Sequence, residues 1–371
     1  MDEKKRGGRG IFRFFLLVLL AILVIGLIAN RERFTPDRIR RALSYFGAES
    51  TWTRTFEFSS DTKSSYLFYE DGLAVLSQGA LTVIGPENRE ELYIQRSFQR
   101  PALCGNDTSL IAYDIGGTAL YIVDGYNVIN DGQAPGPVIH CDMNAAGWST
   151  VVAEEGGAKA TATVYDASMD IAYKWFSSER YLLSATVSPD CTRMAVAGLS
   201  QKNARICSTL LFFRLDSTEV SATYEILDDL VLDMKYVADD RVAVLTESDL
   251  ILLSGEGELL AKFAYTSTSL RGYDLSEEGM TLVLDEGLES EVRLYDVEGI
   301  PVGTFRASGV IAASVKGDYI GILTNDLVIV YNKDGRKLGE ISVTPGGRTV
   351  IQREDGAVLL VYPTRAELLE L

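Results

Sequence analysis

Residues 185–198 read ATVSPDCTRMAVAG, an apolar strand, a tight turn and a second apolar strand. Ser188-Pro189-Asp190 is turn chemistry, because Pro fixes φ and Asp bonds its own backbone. The same unit returns as YEDGLAVL, NAAGWSTVV, LSEEGMTLVL and REDGAVLLV, with Gly72, Gly147, Gly279 and Gly356 in the turn where Cys191 stands here. YVADDRVAVL, VKGDYIGIL and GNDTSLIAY are variants of it. A third strand follows each hairpin, beginning near Ala80, Ala119, Ala160, Thr209, Asp249, Glu291 and Leu327, at intervals of 39, 41, 49, 40, 42 and 36 residues. Turns such as SGEGE, DVEGI and NKDGR then lead to a fourth. Four strands in a period of about 40 residues are the signature of β-propeller blades. The one long interval fits an insertion, GLSQKNARICS, in the fourth unit. No long amphipathic helix separates the strands, which disfavours a parallel βαβ fold.

The two ends of the repeat region complement one another. The last unit stops after AVLLVYP and RAELLEL, one strand short, and an unpaired strand, TRTFEFSS, precedes the first hairpin. Pairing residues 53–60 with the last unit closes the ring and removes two open edges. The expectation is therefore an all-β, eight-bladed propeller over residues 51–371, closed by its N- and C-terminal strands. Seven blades is the alternative, because the outer strand of the second unit, NVINDG, is weak.

Upstream, residues 14–30 carry no charge, and residues 11–30 with Arg13 snorkelling approach the ~20 residues that span a bilayer. IGLIAN offers no A-x-A-type cleavage site. The reading is a basic cytoplasmic tail (1–10), one transmembrane helix (11–30), and a juxtamembrane helix or linker (31–50) with Thr35 as N-cap and Pro36 at its first position. Five Lys/Arg flank the span on either side, so their count does not orient it. Short basic tails before a first helix stay in the cytoplasm and long domains translocate regardless of charge. That favours a single-pass protein of the cell membrane with an extracytoplasmic propeller. The whole chain carries −17, but residues 1–50 hold ten Lys/Arg against five Asp/Glu, leaving −22 on the remainder. An acidic body repels nucleic-acid backbones, and no nucleic-acid partner is expected.

The span, the short basic helix, the TVSPD and RMAVAG hairpin and the long second hairpin leading into STLLFFRLD together resemble a family of bacterial membrane-anchored propellers of unknown function, of Gram-positive type. The hairpin is also similar to WD-type repeats, without their Gly-His and Trp-Asp pairs. The resemblance implies fold and localisation and supplies no catalytic residues.

Catalytic signals are sparse. The chain has one histidine, His140, in VIHCDMN on the predicted inner strand of the third blade. It is either a switch or ligand at the channel, with Asp142 beside it, or a histidine satisfied by a neighbouring blade. One His leaves no multi-histidine zinc site, and there is no G-x-S-x-G elbow and no Walker loop. Cys104, Cys141, Cys191 and Cys207 contain no C-x-x-C. Cys104 and Cys141 fall at equivalent positions on adjacent inner strands and are the one pair placed to bridge. Cys207 should face residue 200, out of reach of Cys191. NKDG and NDG turns lack the alternating acids and distal Glu of a calcium loop. Trp52, Trp148 and Trp175 are too scattered for a stacking platform. The expectation is a non-enzymatic scaffold without cofactor or metal, gripping an envelope protein or peptide. The alternative is a sensor or small-ligand receptor with the channel near His140 and Asp142 as its pocket.

Overall fold

A computed structural model describes residues 55–371, except 131, 266–269, 286, 288 and 371. The expected tail (1–10), span (11–30) and linker (31–50) lie outside these residues. Within them no helix is long and apolar enough to cross a membrane. The described residues form 32 strands, β1–β32, in eight four-stranded antiparallel sheets. Each sheet is one blade. The innermost strands are β2 (Ser65–Tyr69), β6 (Pro101–Gly105), β10 (Val138–Met143), β14 (Tyr181–Val187), β18 (Val231–Ala238), β22 (Leu270–Ser276), β26 (Ala312–Lys316) and β30 (Thr349–Gln352). Seven blades are meanders of consecutive strands. The eighth runs β30, β31 (Val358–Val361), β32 (Arg365–Leu369) and then β1 (Thr55–Glu57) from the other end of the repeat region. Thr55, Phe56 and Glu57 pair with Glu367, Ala366 and Arg365, so the ring closes as expected.

Eight blades is the correct count because the second blade does have a fourth strand, β9 (Asn127–Val128), only two residues long. The Asn130 side chain extends it. Its Oδ1 accepts from Ile122 N and its Nδ2 donates to Leu120 O, replacing the ladder bonds a longer strand would make.

Burial explains the repeating pattern. Second strands such as β3 (Gly72–Leu76) and β11 (Ser149–Ala153) are buried throughout, and so read as continuous apolar runs. Fourth strands such as β5 (Glu90–Gln95) and β21 (Leu259–Ala264) alternate exposed and half-buried residues, because they form the outer rim. Eight apolar clusters lie between adjacent blades, one at each interface including that between blades eight and one, where Phe56, Leu73, Leu359 and Ala366 meet.

The turn glycines divide into two kinds, which corrects the single slot read from sequence. In the five-residue turns 144–148, 188–192 and 353–357, the fourth residue is left-handed: Gly147 (φ 82°), Cys191 (φ 58°) and Gly356 (φ 88°). Gly72 and Gly279 instead open β3 and β23 (Gly279–Asp285) after two-residue turns. A Cβ on Gly72 would collide with the Ile84 carbonyl, so close approach and not handedness requires glycine there. Cys191 therefore sits where a side chain costs about 1–2 kcal/mol. Asn144 of the neighbouring blade buttresses it, donating to Ser188 O at 2.9 Å and to Cys191 Sγ at 3.5 Å. In the long hairpin β15 (Arg193–Lys202) and β16 (Arg205–Arg214), Cys207 pairs with Ser200.

Deleting residues 365–371 removes β32 with buried Ala366 and Leu368 and strips Phe56 of its strand partner. Buried side chains the size of Leu368 and Phe56 contribute about 2–5 kcal/mol each, so the melting temperature should fall by on the order of 10 °C or more. Thermal unfolding followed by circular dichroism checks this; an unchanged transition would contradict the closure.

Candidate functional site in the central channel

The eight inner strands surround a channel. All run in the same direction, so the ring has a strand-start face and a face formed by the turns between first and second strands. A cavity of about 740 Å³ opens at the strand-start face, lined by Ser64, Ser65, Asp274, Ser314, Arg348 and Thr349 among others. A second, of about 600 Å³, opens at the turn face among Glu70, Asp71, Asp107, Lys316, Glu354 and Asp355. Leu67, Ser314 and Ile351 line both and mark the waist between them.

Charged side chains occupy one side of this channel. Lys235, on β18 of the fifth blade, reaches past the fourth to Asp142 on β10 of the third. Its Nζ lies 2.5 Å from Asp142 Oδ1 and donates to Met143 O at 3.0 Å. Thr186 of the intervening β14 donates to Asp142 Oδ2 at 2.7 Å, and its hydroxyl accepts from Tyr236 N. Burial pulls the Lys235 ammonium down, but the charge and hydrogen bond of Asp142, with Cys104 and Asp233 nearby, together hold its pKa above the usual value. Three blades are thus pinned through one ion pair.

Two residues along each strand lies a second polar group, as the period of two requires: His140 on β10, Ser184 on β14 and Asp233 on β18. Burial raises the Asp233 carboxyl, partly offset by the nearby His140 charge and a Met234 N–H. The hydroxyl of Tyr273 on β22 bonds to Asp233. Next to Tyr273, Asp274 is pushed up to about 6, first by burial and then by Glu278 and Asp233, against the lowering pull of Lys235 and Lys316. Asp274 Oδ2, His140 Nδ1 and Ser184 Oγ are buried without a hydrogen-bond partner.

The turn-face mouth is braced across the ring. Glu277 of the sixth blade accepts from Ala145 N of the third at 2.8 Å, and Asn106 of the second donates to Ala145 O at 3.2 Å. Glu278 accepts from Gly317 N at 2.6 Å, and Lys316 lies 3.7 Å from Glu278 and 3.5 Å from Glu354. Charge is unequally divided between the faces. The turns joining first to second and third to fourth strands lie at the turn face and hold 21 Asp/Glu against 4 Lys/Arg. Among the described residues, the turns and connections at the strand-start face hold 8 against 6.

His140 and Asp142 thus lie at the channel, as the sequence suggested, but Asp142 is bound in an ion pair. Cys104 and Cys141 come together in the cluster between blades two and three, as two free thiols and not as a bridge. Burial, then neighbouring charge, pushes both thiols up, which suits inert core packing. Cys191 and Cys207 are also free. Among the described residues no three of His, Cys, Asp and Glu are gathered as metal ligands. Sequence reasoning passed over Lys235, Asp233, Asp274 and Ser184. The available signal was ionisable residues interrupting the apolar inner strands VLDMKYVA and LRGYDLS.

Replacing Lys235 with Met leaves Asp142 charged and unpaired, and should destabilise the ring by about 3 kcal/mol; urea unfolding measures it. Asp274 behaves oppositely. Its folded pKa of about 6 lies above the ordinary 3.8, so the folded state binds the proton more tightly; stability is lost as pH rises from about 4 to 6, and the full cost of ionisation is present above 6. Asp274→Asn should therefore be more stable than the parent by up to about 3 kcal/mol above pH 6, with the difference vanishing near pH 4. A pH-independent difference would refute the assignment.

A search of curated proteins finds no match to the chain's sequence. Among solved structures the chain is similar to BamB from Moraxella catarrhalis, with a TM-score of 0.53 and 10% identity over 86% of this chain and 99% of that one. It is also similar to the C-terminal WD40 domain of Sif2, with a TM-score of 0.55 and 10% identity over 85% of this chain and 97% of that one. At this identity the likeness is one of fold. The sequence model of a family of unknown function, DUF5711, matches residues 43–371, and the chain belongs to that family.

Proposed function

We propose that this protein is a non-enzymatic interaction scaffold whose partner docks on the strand-start face around blades three to five. The reading rests on one observation. Phe176, Tyr181, Ile206, Leu227 and Leu232 are large apolar residues, 45–62% exposed, at strand ends of that face. Lys174 lies over the Phe176 ring and Lys159 over that of Tyr181, so cationic groups rim the apolar ones. Exposed aromatics bordered by polar groups are the composition of protein-binding surfaces. The opposite, acidic face also exposes apolar residues at strand ends, Ile171, Leu259, Ile300 and Leu338 among them, but no aromatic ring joins them there, and its carboxylates repel acidic partners.

The scaffold is further proposed to be tethered by residues 11–30, with the N-terminus cytoplasmic and the propeller outside the membrane. The apolar run and its basic flanks support this reading. The partner is then an envelope protein or peptide. Photo-crosslinking residues at 181 and 232 should capture it in cells and one at 240, on the acidic face, should not. The double variant Tyr181→Ser, Leu232→Ser should weaken capture about tenfold or more. Equal crosslinking from both faces would overturn the docking site. Protease digestion of intact cells tests topology: a protected propeller would reverse it.

A further inference from the structure

We propose that the strand-start cavity is a binding site for a small organic ammonium ion, recognised by Asp274. This is independent of the docking surface, which lies on the rim and not in the channel.

Asp274 lines the inner part of the 740 Å³ cavity. Its Oδ2 is buried and accepts no hydrogen bond. A desolvated carboxylate without a donor is costly to retain, and asparagine would fill the same space without the charge. The nearby cations are already engaged. Lys235 is held by Asp142 and Met143 O. Lys316 lies against Glu278 and Glu354, and Arg348, on the eighth blade, donates to Asp61 O, Ser60 Oγ and Tyr66 OH. Asp233 and Glu278 add negative potential at Asp274. The group missing from this corner is therefore a donor that carries positive charge.

The walls restrict what bears it. Leu67, Val350 and Ile351 are apolar and Ser65, Ser314 and Thr349 offer hydroxyls, so the cavity accommodates a short carbon chain with a polar end. Among the described residues, carboxylates and His nitrogens are not clustered as a bare metal ion needs.

The test uses the full chain titrated at constant ionic strength and pH 7.5 with n-butylammonium, n-butanol and butyrate, followed by calorimetry and thermal shift. Saturable binding of n-butylammonium alone is expected, weakened at least tenfold in Asp274→Asn. Because that variant should be at least as stable as the parent, lost binding will not reflect misfolding. Asp71→Asn, at the opposite mouth, should bind as the parent does. Equal binding of butanol, preference for butyrate, no saturable binding of any probe, or undiminished affinity in Asp274→Asn would each overturn the proposal.

Discussion

Each blade is apolar on both faces, and this constraint governs the rest of the molecule. A sheet with Leu, Val and Ala buried on each side of its second and third strands needs a neighbour on both sides. An open row of such blades leaves two faces bare, so the row must bend until its ends meet. At about 25 cal/mol per Å² of apolar surface removed from water, one additional interface outweighs the entropy of joining the ends. The three residue pairs between β1 and β32 are a modest bond in themselves. Their effect is to hold blade eight complete, so that it can bury its faces against blades seven and one.

Ring closure creates a channel, and the channel creates a conflict. Inner strands converge there, and their side chains have fewer neighbours than those of the middle strands. Between blades three and five, Asp142, Thr186 and Lys235 satisfy one another across three strands. Such a pair contributes little net stability over apolar packing, yet is costly to break. It therefore fixes the angle among those blades more than it strengthens them. Asp274 has no such compensation. Its unpartnered oxygen runs against the rule that buried polar groups are bonded, and groups of this kind gather at binding sites.

The fold was legible because the repeat signals are local. Turn chemistry and apolar runs mark every strand but β9, where the Asn130 side chain substitutes for backbone pairing and leaves little pattern to read. The turn glycines were assigned to one slot because sequence spacing does not separate a residue needing positive φ from one needing space, as Gly356 and Gly72 illustrate. The channel was less legible. His140 and Asp142 were found because one is a rare residue and the other its neighbour. Lys235 lies 93 residues from its partner, and Asp274 is defined by what surrounds it. Neither carries a motif, since the ring and not the sequence brings these residues together.

Topology also accounts for much of the charge asymmetry. In a four-stranded meander two of the three tight turns fall at one end, so residues suited to turns accumulate at one face. Asp166 and Asp296 illustrate this, each accepting two backbone N–H groups within its own turn. The glutamates do not follow from it, because Glu has no special place in tight turns. Glu277 and Glu278 reach out of their turn to N–H groups of blades three and seven. The acidic face is thus partly a by-product of turn chemistry and partly a brace around the channel mouth. A face whose carboxylates are committed to turns and bracing is a poor docking surface for an acidic partner. The strand-start face has fewer such commitments, and both the exposed aromatics and the unpartnered Asp274 open toward it.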